Sequence, residues 1–129
     1  MKQILIILSV LMSMGIAHAD TKVSGESSRP LVVSGEKVFK KCKSCHSFTK
    51  NKLGPSLGKI IDQKAGTVEG FKYSKAMMNS DIIWNDCSLD SFLKKPRKYI
   101  KGTKMRFSGL KKESHRKALI EYLKENQVK

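Results

Sequence analysis

Cys42-Lys43-Ser44-Cys45-His46 is the stretch from which the rest of the chain is read. Two thiols three residues apart fit one turn of helix, which sets both sulfurs against one edge of whatever they hold. The same turn swings the following imidazole towards its centre. The cysteine count agrees with a special use. Three in 129 residues are too few for a disulfide-dense scaffold, and the odd number leaves at least one sulfur without an intramolecular partner.

Upstream of this run the chain opens as an address. Met1-Lys2 is a minimal positive start, Ile4 to Ile16 is nearly uncharged and mostly apolar, and Ala17-His18-Ala19 before Asp20 fits a small-residue cleavage site. The apolar run falls short of the about 20 residues needed to cross a bilayer, so residues 1–19 are expected to be a cleavable secretory signal peptide rather than an anchor. Residues 20–33, rich in Ser, Gly, Pro and charge without a period, are expected to form a flexible leader. The folded domain is then expected over 34–129, in the periplasm after cleavage.

In an exported protein, CxxCH is the attachment site for c-type haem: the thiols add to the vinyl groups and the histidine ligates iron. Two other readings compete. Zinc would need a fourth ligand, and no second Cys pair or HxxxH run supplies one. A redox-active CxxC belongs after a strand in an α/β context, and the chain lacks the alternation of apolar and polar residues that announces strands.

The remaining pattern is helical and short. Ser34 can cap a helix over about 35–45 in which Val38, Phe39 and Cys42 share a face. Asn85 or Asp86 can cap a second over about 86–94, with Leu89, Phe92 and Leu93 as its apolar stripe and Pro96 ending it. Ser114 can cap a third, in which Leu119, Tyr122 and Leu123 face inward while Lys117, Glu121 and Lys124 face water. Residues 53–58 and 101–105 are Gly-punctuated loops. So few helical residues give a thin core against a backbone entropy cost of about 1–2 kcal/mol per residue. A buried cofactor would make up the deficit, as metals and disulfides do in other small domains.

A haem iron held by His46 has a second axial position. Once the signal is removed, the candidates are His115, Met77, Met78 and Met105, and spacing alone leaves them open. Met105, in a Gly-punctuated loop far along the chain, stands where a ligand from the opposite face would come from.

Five runs carry a family resemblance. They are Gly-Glu-Lys-Val-Phe-Lys-Lys-Cys-Lys-Ser-Cys-His at 35–46, Leu-Gly-Pro-Ser-Leu-Gly at 53–58, Gly-Phe-Lys-Tyr-Ser at 70–74, Trp84, and Pro-Arg-Lys-Tyr-Ile-Lys-Gly-Thr-Lys-Met-Arg-Phe-Ser-Gly-Leu-Lys-Lys at 96–112. Across about 90 residues the chain resembles a class I cytochrome c, the monohaem type of bacteria and mitochondria. The resemblance implies an all-α cytochrome c fold, three to five short helices and loops wrapped around one covalent haem c per chain, attached through Cys42 and Cys45. It places the axial ligands at His46 and Met105. It also implies that the Pro55 carbonyl accepts from the His46 ring, that Tyr73 and Trp84 bond one propionate, and that Thr103 lies near the other. Gly35 and Phe39 would pack on Leu119 and Tyr122 where the first and last helices cross.

Three departures from the family pattern stand out. Phe92 occupies a position where many members have a tyrosine whose phenol bonds the methionine sulfur, and Met77 replaces a common Asn, so the methionine side should be drier. Gln63 replaces an arginine that often supports a propionate, so that propionate loses a fixed positive partner unless neighbouring Lys64 substitutes. Cys87 has no role in the pattern and is expected to be a reduced, partly buried residue.

With both axial positions filled by protein, the resemblance implies a soluble one-electron carrier rather than an enzyme, and no nucleophile, base and oxyanion-donor constellation is visible. The rival use of an open iron, as a peroxidase or sensor, would need Met105 displaced. The balance of 26 Lys plus Arg against 11 Asp plus Glu, net +15, draws the chain to acidic surfaces. By resemblance the docking ring comprises Lys41, Lys52, Arg97, Lys98, Lys104 and Lys111, facing acidic surfaces of a bc1-type complex as donor and a terminal oxidase as acceptor. Anionic membrane is the other surface such charge can touch. Nucleic acid is not expected, because the basic residues are spread through haem-packing motifs. A monomer is expected.

Overall fold

The computed structural model describes residues 33–129. The expected signal and leader, 1–19 and 20–33, lie outside these but for Val33. Five helices occur in the order α1 (Gly35–Phe39), α2 (Lys75–Met78), α3 (Asp86–Lys94), α4 (Pro96–Tyr99) and α5 (Glu113–Glu125). The described residues contain no strand, and an isolated antiparallel bridge joins Lys64 to Ile83. The fold is all-α.

Local chemistry explains where each helix starts. The Ser34 hydroxyl accepts from the Lys37 amide at 3.2 Å and starts α1. The regular helix ends at Phe39, short of the expected 45, but the winding continues. The Cys42 and Lys43 amides both donate to Phe39, at 2.7 and 3.1 Å, and those of Cys45 and His46 both donate to Cys42, at 3.0 and 2.9 Å. This mixture of three-residue and four-residue bonds tightens the turns that carry the motif.

Asn85 and Ser88 form a reciprocal capping box on α3, each side chain accepting the other's backbone amide, at 3.0 and 2.9 Å. Pro96 does more than end that helix. It occupies the first position of α4, where its missing amide costs nothing. Ser114 is not the cap of the last helix. Lys112 stands there without a side-chain bond, and Ser114 lies inside the first turn. Helix α2 escaped the periodicity because one turn is too short to show one; Ser74 caps it by accepting from the Met77 amide at 3.1 Å.

The core lies where α1 and α3 meet α5. Val38 and Phe39, Leu89, Phe92 and Leu93, and Leu119, Ile120 and Leu123 are all buried there. A Cβ on Gly35 would overlap the Ala118 carbonyl and the Tyr122 side chain, so the absence of one lets α1 and α5 cross closely. Phe39, Phe48 and Tyr122 close that end, with ring centroids 4.9 to 5.9 Å apart. The segment from 100 to 112 contains no helix beyond α4, yet its two ends are sunk in the core at Ile100 and Leu110.

Candidate functional site

Between these elements lies a mostly apolar cavity of about 560 Å³. The turns after α1 and the following loop bring Cys42, Cys45, His46, Gly54 and Pro55 to it. Phe71, Tyr73 and Met77 come from the segment around α2, Trp84 and Phe92 from α3 and its approach, and Thr103, Met105 and Phe107 from the non-helical segment before α5. Leu89, Leu93, Leu119 and Leu123 supply core surface.

His46 is the most constrained of these groups. Its Nδ1 donates to the Pro55 carbonyl at 2.8 Å. A carbonyl can only accept, so Nδ1 carries the proton and Nε2 keeps its lone pair, the tautomer a metal-ligating histidine needs. Burial holds the ring's pKa below the ordinary histidine value, the Pro55 bond pulls it partly back, and the Lys52 charge adds to the lowering. A Cβ on Gly54 would sit 2.6 Å from Nε2 and 2.7 Å from Nδ1, and closer still to Cε1, so only glycine can lie against the face of this ring. The Cys42 thiol is pushed up to about 11, mainly by burial and secondly by Cys45, against the pull of Lys41. Among the described residues no three His, Cys, Asp or Glu side chains gather to hold a metal ion.

The site therefore fits haem c. The only three groups CxxCH offers for attachment and ligation face one apolar cavity, and the face of the imidazole is kept clear by a glycine.

Of the four other ligand candidates, Met77 and Met105 line the cavity, while Met78 is exposed and His115 lies elsewhere. The Met105 amide donates to the Thr103 hydroxyl at 3.3 Å, tying the two together. Tyr73, edge-on to Phe71 with centroids 4.8 Å apart, has its phenol raised by burial and partly lowered by a hydrogen bond with the Val68 backbone. The indole of Trp84 lies 5.0 Å from the Phe92 ring. Its backbone is paired with the 62–63 segment, the Asp62 amide donating to Trp84 at 2.8 Å and the Trp84 amide to Gln63 at 2.9 Å.

Lys41 and Lys104 stand at the cavity wall. Lys52, Arg97, Lys98 and Lys111 are exposed but do not line it, and Lys52 Nζ donates to the Lys43 carbonyl at 2.6 Å.

Neither Lys64 nor Gln63 reaches the cavity, and Cys87 differs from expectation. Lys64 pairs with Asp81 at 2.7 Å and does not line the cavity. Gln63 also stays outside it, on a separate polar depression, with its Oε1 buried and without a partner. Cys87 is exposed rather than partly buried, because it occupies the first turn of α3 on the side away from Leu89 and Phe92. Sequence reasoning passed over Gly54, legible only as a loop residue, and over Arg116, a charged residue on a helix whose polar face reads as solvated. In fact Arg116 is buried.

Comparisons with known proteins agree with this geometry. The family described as Cytochrome c matches residues 32–127. A cytochrome c of Sesamum indicum is 48% identical over 98 residues, covering 73% of this chain and 88% of that one. A cytochrome c2 of Afifella marina is 42% identical over 100 residues, covering 73% and 81%. Among solved structures, cytochrome cH from Methylobacterium extorquens superposes with a TM-score of 0.69 at 39% identity, covering 70% of this chain and 94% of that one.

Proposed function

The chain belongs to the cytochrome c family, and from that premise we propose that it carries single electrons between respiratory complexes on a haem held by His46 and Met105. Family membership makes it an electron-transfer protein and not an enzyme, with haem c attached through Cys42 and Cys45. When bound, haem supplies an iron that cycles between ferrous and ferric at a potential raised by thioether ligation.

The protein's part is to hold, orient and exclude. Pro55 fixes the His46 tautomer and Gly54 leaves the ring face unobstructed. Phe92, Met77 and Phe107 keep the cavity apolar, so little solvent has to reorganise when charge changes. Tyr73 and Trp84 offer donors for one propionate, and Thr103 for the other. Of the two cavity methionines, Met105 is the proposed ligand. It lies in a segment free of helical constraint, whereas Met77 is bound into α2. The observation that carries the reading is the convergence of Cys42, Cys45, His46 and Met105 on one apolar cavity.

Charge sets the partners. Lys41 and Lys104 at the cavity wall, together with the exposed Lys52, Arg97, Lys98 and Lys111, are the proposed docking residues for acidic faces of a bc1-type donor and a terminal oxidase. Steering of this kind accelerates encounter by roughly 10 to 10³ at low salt. The proposed carrier is a monomer whose cytochrome domain comprises residues 34–129, released to the periplasm when 1–19 are cleaved.

Carbon monoxide tests the closed iron. The ferrous protein should cycle reversibly with one electron and refuse carbon monoxide on the seconds timescale; rapid binding would show an open site and overturn the carrier reading.

A further inference from the structure

Arg116 is a charge placed where charges are rarely found. It lies in the first full turn of α5 with 4% of its surface exposed. An arginine is seldom so buried unless its donors are matched. Here Nε donates to Asp90 Oδ1 on α3 at 2.7 Å, and Nη1 donates to the carbonyls of Leu110 at 2.9 Å and Lys111 at 2.8 Å. One planar group thus joins α3, α5 and the end of the segment that carries Met105.

Between its ends that segment is held by the packing of Met105 and Phe107 on the core, a Thr103 amide bond to Ile100 at 3.1 Å and a long Lys104 Nζ bond to the Tyr73 carbonyl at 3.4 Å. From Thr103 to Lys112 it forms no helix, and Lys112, the cap of α5, contributes no side-chain bond. At its near end it hangs from Ile100, buried below α4, whose amide donates to Pro96 at 2.9 Å. At its far end the Leu110 amide donates to Leu93 at 2.8 Å, and Gly109, at φ 101°, packs on the Lys94 carbonyl. The backbone amide bond and the guanidinium fork grip opposite sides of the same residue, Leu110, five positions beyond Met105.

We infer that Arg116 is a positioning residue for Met105: by clamping the Leu110 and Lys111 carbonyls onto the α3–α5 junction, it holds the segment shut and keeps the sulfur on iron. This rests on Met105 being the ligand. A lysine could replace it only in part, because an ammonium is a point charge without the planar fork that reaches Asp90 and two carbonyls together.

The test is imidazole binding to the ferric, haem-loaded full chain at neutral pH. Imidazole reaches iron only after the sulfur leaves, so its apparent affinity scales with the fraction of molecules in which the segment is open. Arg116→Gln should raise that affinity about tenfold, which corresponds to about 1.4 kcal/mol. Arg116→Lys and Asp90→Asn should each raise it by less, with haem attachment and helical circular dichroism unchanged. Should Arg116→Gln fail to fold, Arg116→Lys decides, since it keeps the positive charge but cannot hold Asp90 and both carbonyls together. Variants that lose resistance to denaturant while imidazole affinity stays at the wild-type value would overturn the inference and leave Arg116 a structural residue. A wild-type protein lacking the sulfur-to-iron charge-transfer band would overturn the ligand assignment itself, and the inference with it.

Discussion

Gly54→Ala is the substitution the site should tolerate least for its size. The added methyl would lie 2.6 Å from His46 Nε2 and 2.7 Å from Nδ1, where ordinary contacts begin near 3.4 Å. Either the ring or the backbone of 53–55 must therefore move by most of an ångström. Neither is free to do so. The ring is held by its 2.8 Å bond to Pro55, and the Gly54 amide donates to the Cys45 carbonyl at 2.8 Å. Overpacking of this kind costs about 1–3 kcal/mol, and loss of the Pro55 bond adds about 1 kcal/mol. A total of about 2–4 kcal/mol should lower the guanidinium midpoint of the haem-loaded protein by about 0.5–1 M, read by circular dichroism. Because the displaced group is the proposed ligand, the reduction potential should move as well. Gly70→Ala is the control: its backbone is strained at φ 71°, but its methyl would meet nothing nearer than Asn51 at 3.6 Å. It should lose stability without moving the potential. A Gly54→Ala protein with unchanged midpoint and potential would refute the claim that glycine is required against the ring.

Other outcomes follow from the same geometry. Phe92→Tyr puts a phenol donor into the cavity that Met105 also lines and should lower the midpoint for alkaline loss of the sulfur-to-iron band by about 0.7 unit, the equivalent of about 1 kcal/mol; an unchanged transition would sink the idea. Thiol titration of the loaded, denatured protein should count one reactive sulfur, Cys87, and none in Cys87→Ser, because Cys42 and Cys45 are consumed in attachment; a count of two or three would contradict it. Lys41→Glu and Lys104→Glu should each slow association with an acidic redox partner about tenfold at low salt and converge on wild type at high salt. Rates independent of either charge or salt would remove these residues from the docking surface. Gly109→Ala should weaken the grip on Lys94 and increase imidazole affinity, as the Arg116 variants do; an affinity equal to wild type would separate Gly109 from the control of Met105.

How much of this was legible in the sequence depends on whether a role is local. The cap of α3 at Asn85 or its neighbour, the start of α1 at Ser34 and the CxxCH turn are set by side chains within a few residues of each other and can be read from the letters, whereas the reciprocal bond from Ser88 appears only in the structure. The close crossing of α1 and α5 was legible only through resemblance, because Gly35 and Tyr122 are distant in the chain. Helix α2 was missed because one turn carries no period. Arg116 was missed for a deeper reason. A charged residue on an amphipathic helix reads as solvent-facing, and only the meeting of Asp90, Leu110 and Lys111 reveals that water has been replaced. Lys64 could be named from the sequence only as a conditional substitute for the missing arginine, because its pairing with Asp81 is not legible in the letters.

The ligand set is the claim on which the rest depends, and the optical spectrum of the ferric protein, matured with its haem attached, addresses it most directly. The weak long-wavelength sulfur-to-iron charge-transfer band should be present in the wild type, survive in Met77→Leu, and vanish in Met105→Leu. A band that persists in Met105→Leu and vanishes in Met77→Leu would move the ligand to α2. No band in the wild type would mean an iron that is open or differently bound, and the account of a closed one-electron carrier would be wrong.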